Sequence, residues 1–510
     1  VASSLTTTAF RLKKETNQTA EQDAILRTAI DRSLRHPVMF FFTSGAAWLA
    51  VSLILGVIAT AKMVAPEFMG DCAWFTQGRV FAAHMSALVY GWGCQAAFGV
   101  LIWLIARLTR QENRAPGIIL TAGHAWNLVI LIGLIAILAG FGTGVPWMEF
   151  PTMVWPALLA SYAMIAVWTM IQFRIRVPGQ VYVSQWYAVG AMIWFPWIMI
   201  TAFVLIFCVG GNALMSAAVA AWFRSGMVYL FFLPTAAAAA YYLAPKITGK
   251  PVYSYSLSVI GFWTLAIIAP WAGMQKLAGA PVPFFLPYMG AAATVLIGIP
   301  TVAIAISTMR TMLADPSKFV SSPSLRFAAG GVVCMFLLGI TGALINWPGS
   351  TLQLTQFSIT SYGMDILAIY GCFSFLMFGA IYFIVPRVTR REWISKRFIK
   401  MHFLFSMYGV IAVAVLSVLG GLLHGQGQEE FQFSWANAVE RAYPYQMATL
   451  IAWCFVLFSN VFFFLHLLLM WMRLGRRSSH PTLLGHAHVE NPHGPEGDID
   501  NAGPGSVIAH

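Results

Sequence analysis

The sequence predicts an all-α, polytopic membrane protein of about twelve transmembrane helices. Three observations carry that expectation. Of the 510 residues, 59% are hydrophobic and only 9% charged, a balance that soluble domains of this size do not show. The apolar residues come in runs long enough to cross a bilayer. The basic residues between those runs fall on alternate connections, as the positive-inside rule requires of a chain that crosses repeatedly.

Residues 1–37 mix Lys, Arg, Glu, Asp and Gln without a long apolar run. They are expected to form a cytoplasmic arm with a surface helix near 20–35. No cleavable signal peptide is expected, so the first apolar helix itself directs insertion. The expected spans are roughly 38–62, 79–106, 116–141, 150–173, 185–209, 215–244, 255–275, 284–309, 327–346, 359–385, 398–424 and 445–474. Arg107, Arg110 and Arg114 share one connection, Arg174 and Arg176 another, and Lys246 and Lys250 a third. Arg310, Lys318 and Arg326 follow on the same side, as do Arg387, Arg390, Arg391, Lys396, Arg397 and Lys400. The opposite loops carry Glu67, Asp71, Glu149, Glu429, Glu430 and Glu440. Both termini are therefore expected in the cytoplasm, around a membrane domain at 38–474. Residues 475–510, rich in His, Gly and Pro, cannot bury enough apolar surface to build a core and are expected to be a disordered cytoplasmic tail.

This placement accounts for the net charge of +12 without nucleic acid as a partner; the partner is the lipid bilayer. The six cysteines are scattered singly with no CxxC or CxxCH, so neither a disulfide framework, a zinc site nor covalent c-type heme is indicated. Aromatic residues make up 14% of the chain. Many stand at span ends, among them Trp74, Trp147, Trp155, Trp222, Trp347 and Trp393, as an interfacial belt requires.

One residue stands out on the second expected span. His84 lies about two turns into the apolar stretch GRVFAAHMSALVYGWGCQAAFGVLIWL (Gly78–Leu104), where an imidazole is costly to bury without a partner. A heme iron is one such partner, and a neighbouring carbonyl is the other.

The chain resembles subunit I of the cbb3-type cytochrome c oxidases, within the heme–copper oxidase family. The matching text is YYLAPKITGKPVYSYSLSVIGFWTL (Tyr241–Leu265), PWAGMQKL (Pro270–Leu277), GR-x4-H (Gly78 to His84), VYVSQWY (Val181–Tyr187), MEFP (Met148–Pro151), FGAIYFIVPRV (Phe378–Val388) and AYPYQM (Ala442–Met447). These fall in family order over all the expected spans. The resemblance implies a twelve-helix subunit I bundle in a bacterial cytoplasmic membrane. It also implies a low-spin heme b on two histidines, a high-spin heme b3 on one, copper B on three, and a tyrosine crosslinked to one of the copper histidines.

Residue by residue, the metal positions depart from that pattern. His84 stands at the first low-spin heme ligand. Where the family has Gly-His-x-His, the tenth span reads Gly363-Met364-Asp365-Ile366, so Met364 replaces the high-spin ligand and Ile366 the second low-spin ligand. Ser225 replaces one copper ligand, Gln275 and Lys276 replace the other two, and Ala269 replaces the tyrosine. Serine, glutamine and an ammonium do not offer copper the imidazole or sulfur donors it needs. Copper is not expected, and no cofactor is expected beyond, in one alternative, a single heme b.

For that heme, His124, His402 and His466 lie near the cytoplasmic ends of their spans, half a bilayer or more from His84, and His424 lies at the outer surface. Met364 has the right depth for a weak second ligand but sits about 200° around the helix from the ligand slot. Glu149 matches a family glutamate near the heme propionates and a bound calcium, with a solvated outer-loop charge as the other reading. Tyr241, Tyr255 and Ser258 match polar residues of the family's proton path, and interhelical hydrogen bonding is the favoured reading of them; His402 reads as a satisfied core histidine. Lys276 either supplies charge where the metal stood or snorkels to the interface, and Asp365 is its expected partner.

The function expected from these residues is that of a membrane subunit of a respiratory electron-transfer complex. It would lack the heme b3/copper B centre and act as a scaffold or docking subunit for a c-type cytochrome and other membrane subunits. The alternatives are a working terminal oxidase, a single-heme b electron carrier through His84, and an ion conduit built on Arg224, Lys276 and Asp365.

Overall fold

The structure is a computed structural model that describes residues 2–179, 181–430 and 434–477, with side chains from residue 22 onward. Twelve of its helices are long and apolar enough to cross a membrane. They are α1 (Ala2–Val64), whose apolar part begins beyond the charged arm, α2 (Gln77–Thr109), α3 (Pro116–Ala139), α4 (Val154–Arg174), α5 (Val183–Cys208) and α6 (Ala213–Thr248). The chain continues through α7 (Tyr255–Leu277), α8 (Phe285–Met312), α9 (Pro323–Ile345), α10 (Thr360–Thr389), α11 (Lys396–Glu429) and α12 (Trp435–Trp471). Among the described residues the only β pairing is one isolated bridge between Arg391 and Arg477.

Local chemistry marks the helix ends. The Asn212 side chain accepts from the Met215 amide. The Ser395 and Ser434 hydroxyls cap α11 and α12 in the same way, each taking up one of the donors a helix start leaves unpaired. Pro116 and Pro323 open α3 and α9, where a missing N–H costs nothing. Gly140 stops α3 with φ +98°, a conformation glycine adopts without strain.

The arm and the first span are continuous: α1 runs unbroken from Ala2 to Val64 with Pro37 inside it. The short surface helix expected at 20–35 is thus part of one long helix. The expected tail lies outside the described residues beyond 477.

The bundle is layered. The most apolar stretches of α2, α6 and α10 are buried almost entirely within the protein, whereas α3, α5, α7, α11 and α12 bury well under half of theirs. Leu128, Ile132, Trp197 and Ile267 project outward from that outer ring, toward lipid. Close approach rests on small residues, as expected where lipid removes the hydrophobic advantage of helix association. A Cβ at Gly379 of α10 would lie 2.8 Å from the Ser324 carbonyl of α9, and one at Gly409 of α11 would lie 2.6 Å from Val456 of α12.

Polar side chains link the helices. The amides of Gln95 on α2 and Asn127 on α3 bond each other reciprocally at 2.9 and 3.2 Å. Ser44 and Trp48 of α1 join them, the Trp48 indole at 2.7 Å from Asn127. Near the end of the bundle that carries both chain ends, hereafter the terminal end, Asp31 pairs with Arg107 at 3.2 Å. The centre of α2, α6 and α10, toward the opposite or distal end, holds the candidate site.

Candidate functional site: a rebuilt metal layer

His84 lies on α2, fully buried. Its Nδ1 lies 2.7 Å from the Ser52 carbonyl of α1, and the Ser52 hydroxyl bonds the His84 carbonyl at 3.0 Å. Its Nε2 lies 3.1 Å from the Tyr362 hydroxyl of α10. With Nδ1–H donating to the carbonyl, Nε2 is left as the acceptor for tyrosine. The ring stands edge-on to Trp453 of α12 at 5.6 Å, and Phe81 packs on Tyr362 at 5.4 Å. Gly56 makes room for the imidazole, since a Cβ there would be 2.8 Å from Cε1. Tyr362 precedes Ile366 by four residues and so shares its helix face. Its hydroxyl reaches the His84 nitrogen that a metal would use.

The second half of the layer is ionic. Arg224 of α6 pairs with Asp365 of α10, its terminal nitrogen 2.6 Å and its Nε 2.9 Å from the carboxylate Oδ1. The same guanidinium bonds the Ser361 carbonyl at 2.9 Å. Lys276, at the distal end of α7, donates to the Ser361 hydroxyl at 2.9 Å. The expected Asp365–Lys276 pair is therefore corrected. Arginine holds the carboxylate, because its planar fork spans Asp365 and a backbone carbonyl at once, and Lys276 reaches the same turn of α10 through a serine.

Of the two other residues at copper positions, Gln275 is turned to a local task. Gln275 accepts from the Gly273 amide at 2.9 Å, closing its own turn. Gly273, at φ +107°, is pressed on α6: a Cβ there would lie 2.5 Å from the Ala221 carbonyl and 2.8 Å from the Ser225 hydroxyl. Ala269 is buried in the core beside it. The turn that carries Gln275 thus packs closely on α6 beside Ser225.

Glu149 caps this layer from the connection between α3 and α4. Its carboxylate accepts from the Trp147 amide at 2.8 Å and from the Ser86 hydroxyl of α2 at 3.1 Å. The Arg224 guanidinium lies 6.0 Å from the Trp147 ring centroid. Burial pushes the Glu149 carboxyl up to about 7, against the hydrogen bonds and the Arg224 charge that draw it down. It is a buried, structured group and not a solvated loop charge.

The remaining histidines do not converge on His84. His402 lies 2.9 Å from the Tyr382 hydroxyl and stacks on Phe463 in the core, but its Nε2 is buried without a hydrogen-bond partner, so it is not the fully satisfied histidine expected. His466 accepts from the Ser395 amide, His124 bonds the Leu120 carbonyl, and His424 packs on Trp435. Met364 is half-buried against the core, while Ile366 is fully buried. Tyr241 stacks on Tyr187 at 5.5 Å between α6 and α5, and Tyr255 is exposed. No group of three or more His, Cys, Asp or Glu side chains among the described residues is placed to hold a metal ion.

Two features escaped the sequence reading. One is Tyr362. The other is a widened, π-helical turn in each of the three central helices, at Ala87–Gly93, Met227–Phe232 and Leu367–Ser374. Each begins within three residues of His84, Ser225 or Ile366. Such turns re-aim the side chains beside them and concentrate at functional sites.

A family model described as cytochrome C and quinol oxidase polypeptide I matches residues 36–455. The chain belongs to that family. It is 24% identical to the cbb3-type cytochrome c oxidase subunit CcoN1 of Stutzerimonas stutzeri, over 78% of this chain and 86% of the relative. It is 23% identical to a cytochrome c oxidase subunit 1 homolog of Azorhizobium caulinodans, over 78% and 75% respectively. Its fold matches a solved heme–copper terminal oxidase dimer with a TM-score of 0.67 at 14% identity, over 90% of this chain and 86% of the other. With twelve spans and bacterial relatives, it is a multi-pass protein of the bacterial inner membrane.

The polypeptide I family normally carries hemes and copper, and the residues here fit neither at the expected positions. A copper ion between Ser225, Gln275 and Lys276 would meet one ammonium, one hydroxyl and one amide already bonded to its own turn, beside a guanidinium. A heme iron on His84 would need the Nε2 that Tyr362 engages, and Ile366, at the position the resemblance gives the second ligand, offers no donor atom.

Proposed function

We propose that this polypeptide I homologue is a scaffold and docking subunit of a respiratory electron-transfer complex, without a heme b3/copper B oxygen-reducing centre. The observation that carries this reading is the Arg224–Asp365 ion pair, with Lys276 bonded to Ser361 beside it. It sets two cationic side chains where the family resemblance requires a dication and its imidazoles. Two such cations repel a metal ion, while the pair itself ties α6 to α10 as a shared metal centre would.

Docking fits the distal end. Its loops and helix ends present Glu67, Asp71, Glu429 and Glu440 together with exposed Phe68, Met69, Trp74 and Trp435. Exposed acidic and apolar side chains on one end suit a protein partner with a basic face, such as a c-type cytochrome, and the exposed outer helices suit other membrane subunits. The basic connections place both termini in the cytoplasm in this reading.

Heme and copper content per chain of the purified protein tests the reading. Neither is expected; two hemes and a copper would overturn it. A second reading, a single heme b electron carrier, is favoured by one observation alone. The Nδ1 bond to Ser52 is the kind of contact that orients a ligating histidine. It requires Tyr362 to leave Nε2, and it predicts one heme lost on His84→Ala.

A further inference from the structure

Some cationic side chains at the terminal end have carboxylate partners: Asp23 pairs with Arg27 and Arg110, and Asp31 with Arg107. Another group, Arg32, Arg35 and Arg473 with His36, lies where α1 and α12 meet. Arg35 lies within Coulombic reach of Arg32 and Arg473, and His36 within reach of Arg35 and Arg473. None of the four has an ion pair with a carboxylate among the described residues. The one hydrogen bond within the group joins the Arg35 guanidinium to His36 Nε2 at 3.2 Å. Arg35 is only half-exposed, and its Nε is buried without a hydrogen-bond partner.

This grouping is electrostatically unfavourable as it stands. Like charges repel, and a buried guanidinium N–H without an acceptor carries a desolvation cost. A single anion with several acceptor oxygens between the helices relieves both. The depth of the site says which anion. Val38 begins the apolar stretch of α1 and Trp471 ends that of α12, so Arg35 and Arg473 stand at headgroup level where the two helices meet. Trp471, Met472 and Leu474, all more than half exposed, flank Arg473 with apolar surface, which suits acyl chains and not free phosphate.

We propose that Arg32, Arg35, His36 and Arg473 form a binding site for the phosphate headgroup of an anionic phospholipid. The lipid sits between α1 and α12 in the leaflet at the terminal end. Guanidinium forks bind phosphate oxygens in pairs, Arg35 Nε–H acquires its acceptor, and the lipid joins the first and last spans. The site stands apart from the rebuilt metal layer and does not depend on whether that layer holds a cofactor.

The test is native mass spectrometry of the protein purified in non-ionic detergent, with added phosphatidylglycerol, phosphatidylcholine or inorganic phosphate. Wild type should retain phosphatidylglycerol in preference to phosphatidylcholine. Arg35→Gln with Arg473→Gln should lower that retention about ten-fold or more. Arg397→Gln with Lys400→Gln removes the same charge from exposed positions on the same end and should leave retention unchanged. Arg473→Gln alone, at an exposed position, should lower retention without affecting folding. Equal loss from both double variants would reduce the site to a diffuse basic belt and overturn the proposal. So would equal retention of phosphatidylcholine, or displacement of the lipid by millimolar inorganic phosphate.

Discussion

Arg224 and Asp365, separated by 141 positions in the chain, meet 2.6 Å apart between α6 and α10 at the place where the family resemblance puts a metal centre. Their side chains are about a quarter and an eighth exposed, so the pair is neither a surface bridge nor fully desolvated. Removing one partner leaves the other charged in a poorly solvated layer. Arg224→Leu or Asp365→Leu should each destabilise the protein by about 2–4 kcal/mol, with some of the usual buried-pair cost screened by that exposure. The double variant should recover most of the loss, because it removes both desolvation penalties. Thermal unfolding of the four proteins in one detergent reads the coupling directly.

Glu149 makes stability depend on pH. Its carboxyl is held at about 7 against an ordinary 4.5, so the folded protein binds more protons than the unfolded chain between those values. Stability is then fully present below about 4.5 and falls as pH rises toward 7. At ~1.4 kcal/mol per pH unit the loss over the window is on the order of 3 kcal/mol. Glu149→Gln should flatten that slope, as denaturation midpoints from pH 4.5 to 7.5 would show.

The His84 pocket leaves no room for a methyl group. Gly56→Ala places a Cβ 2.8 Å from an imidazole that is hydrogen-bonded at both nitrogens and cannot swing away. The expected cost is about 1–3 kcal/mol. His84→Ala in the Gly56→Ala background should recover part of it, a rescue visible in the same unfolding assay.

Much of this was legible in the sequence. Run length and loop charge placed the spans, and helix ends differ mainly where polar residues continue a helix. The last span, expected from 445, begins at Trp435, because Ser434 caps a helix whose first turns carry Glu440 and Arg441 and so read as loop. His84 and Lys276 reach Tyr362 and Ser361 on one turn of α10, Ser225 faces the turn that Gln275 closes, and Glu149 bonds Ser86 beside His84. What stayed hidden depends on contacts between distant segments. Tyr362 lies just outside the matching motif, and only its place four residues before Ile366 hinted at its reach. Arg224 and Asp365 were visible as ionisable groups of opposite sign within spans, which do pair as a rule; the nearer cation in the family fold, Lys276, drew the expectation instead.

The amide pair of Gln95 and Asn127 predicts how the first three spans hold together. Asn127→Leu removes bonds to Gln95, Ser44 and Trp48 at once. It should cost about 1–2 kcal/mol, the upper range for interhelical hydrogen bonds in membranes. The Trp48 indole loses its acceptor, so a shift in tryptophan emission should accompany the loss.

The proposed function requires an ionic and hydrogen-bonded layer where the family resemblance puts metals. Its most direct test is a count of heme by pyridine hemochromogen spectrum and of copper by elemental analysis, per chain of purified protein. The account predicts zero of each. Two hemes with one copper per chain would contradict it, because His84, Gln275 and Lys276 would then have to leave their present hydrogen-bond partners to hold metals.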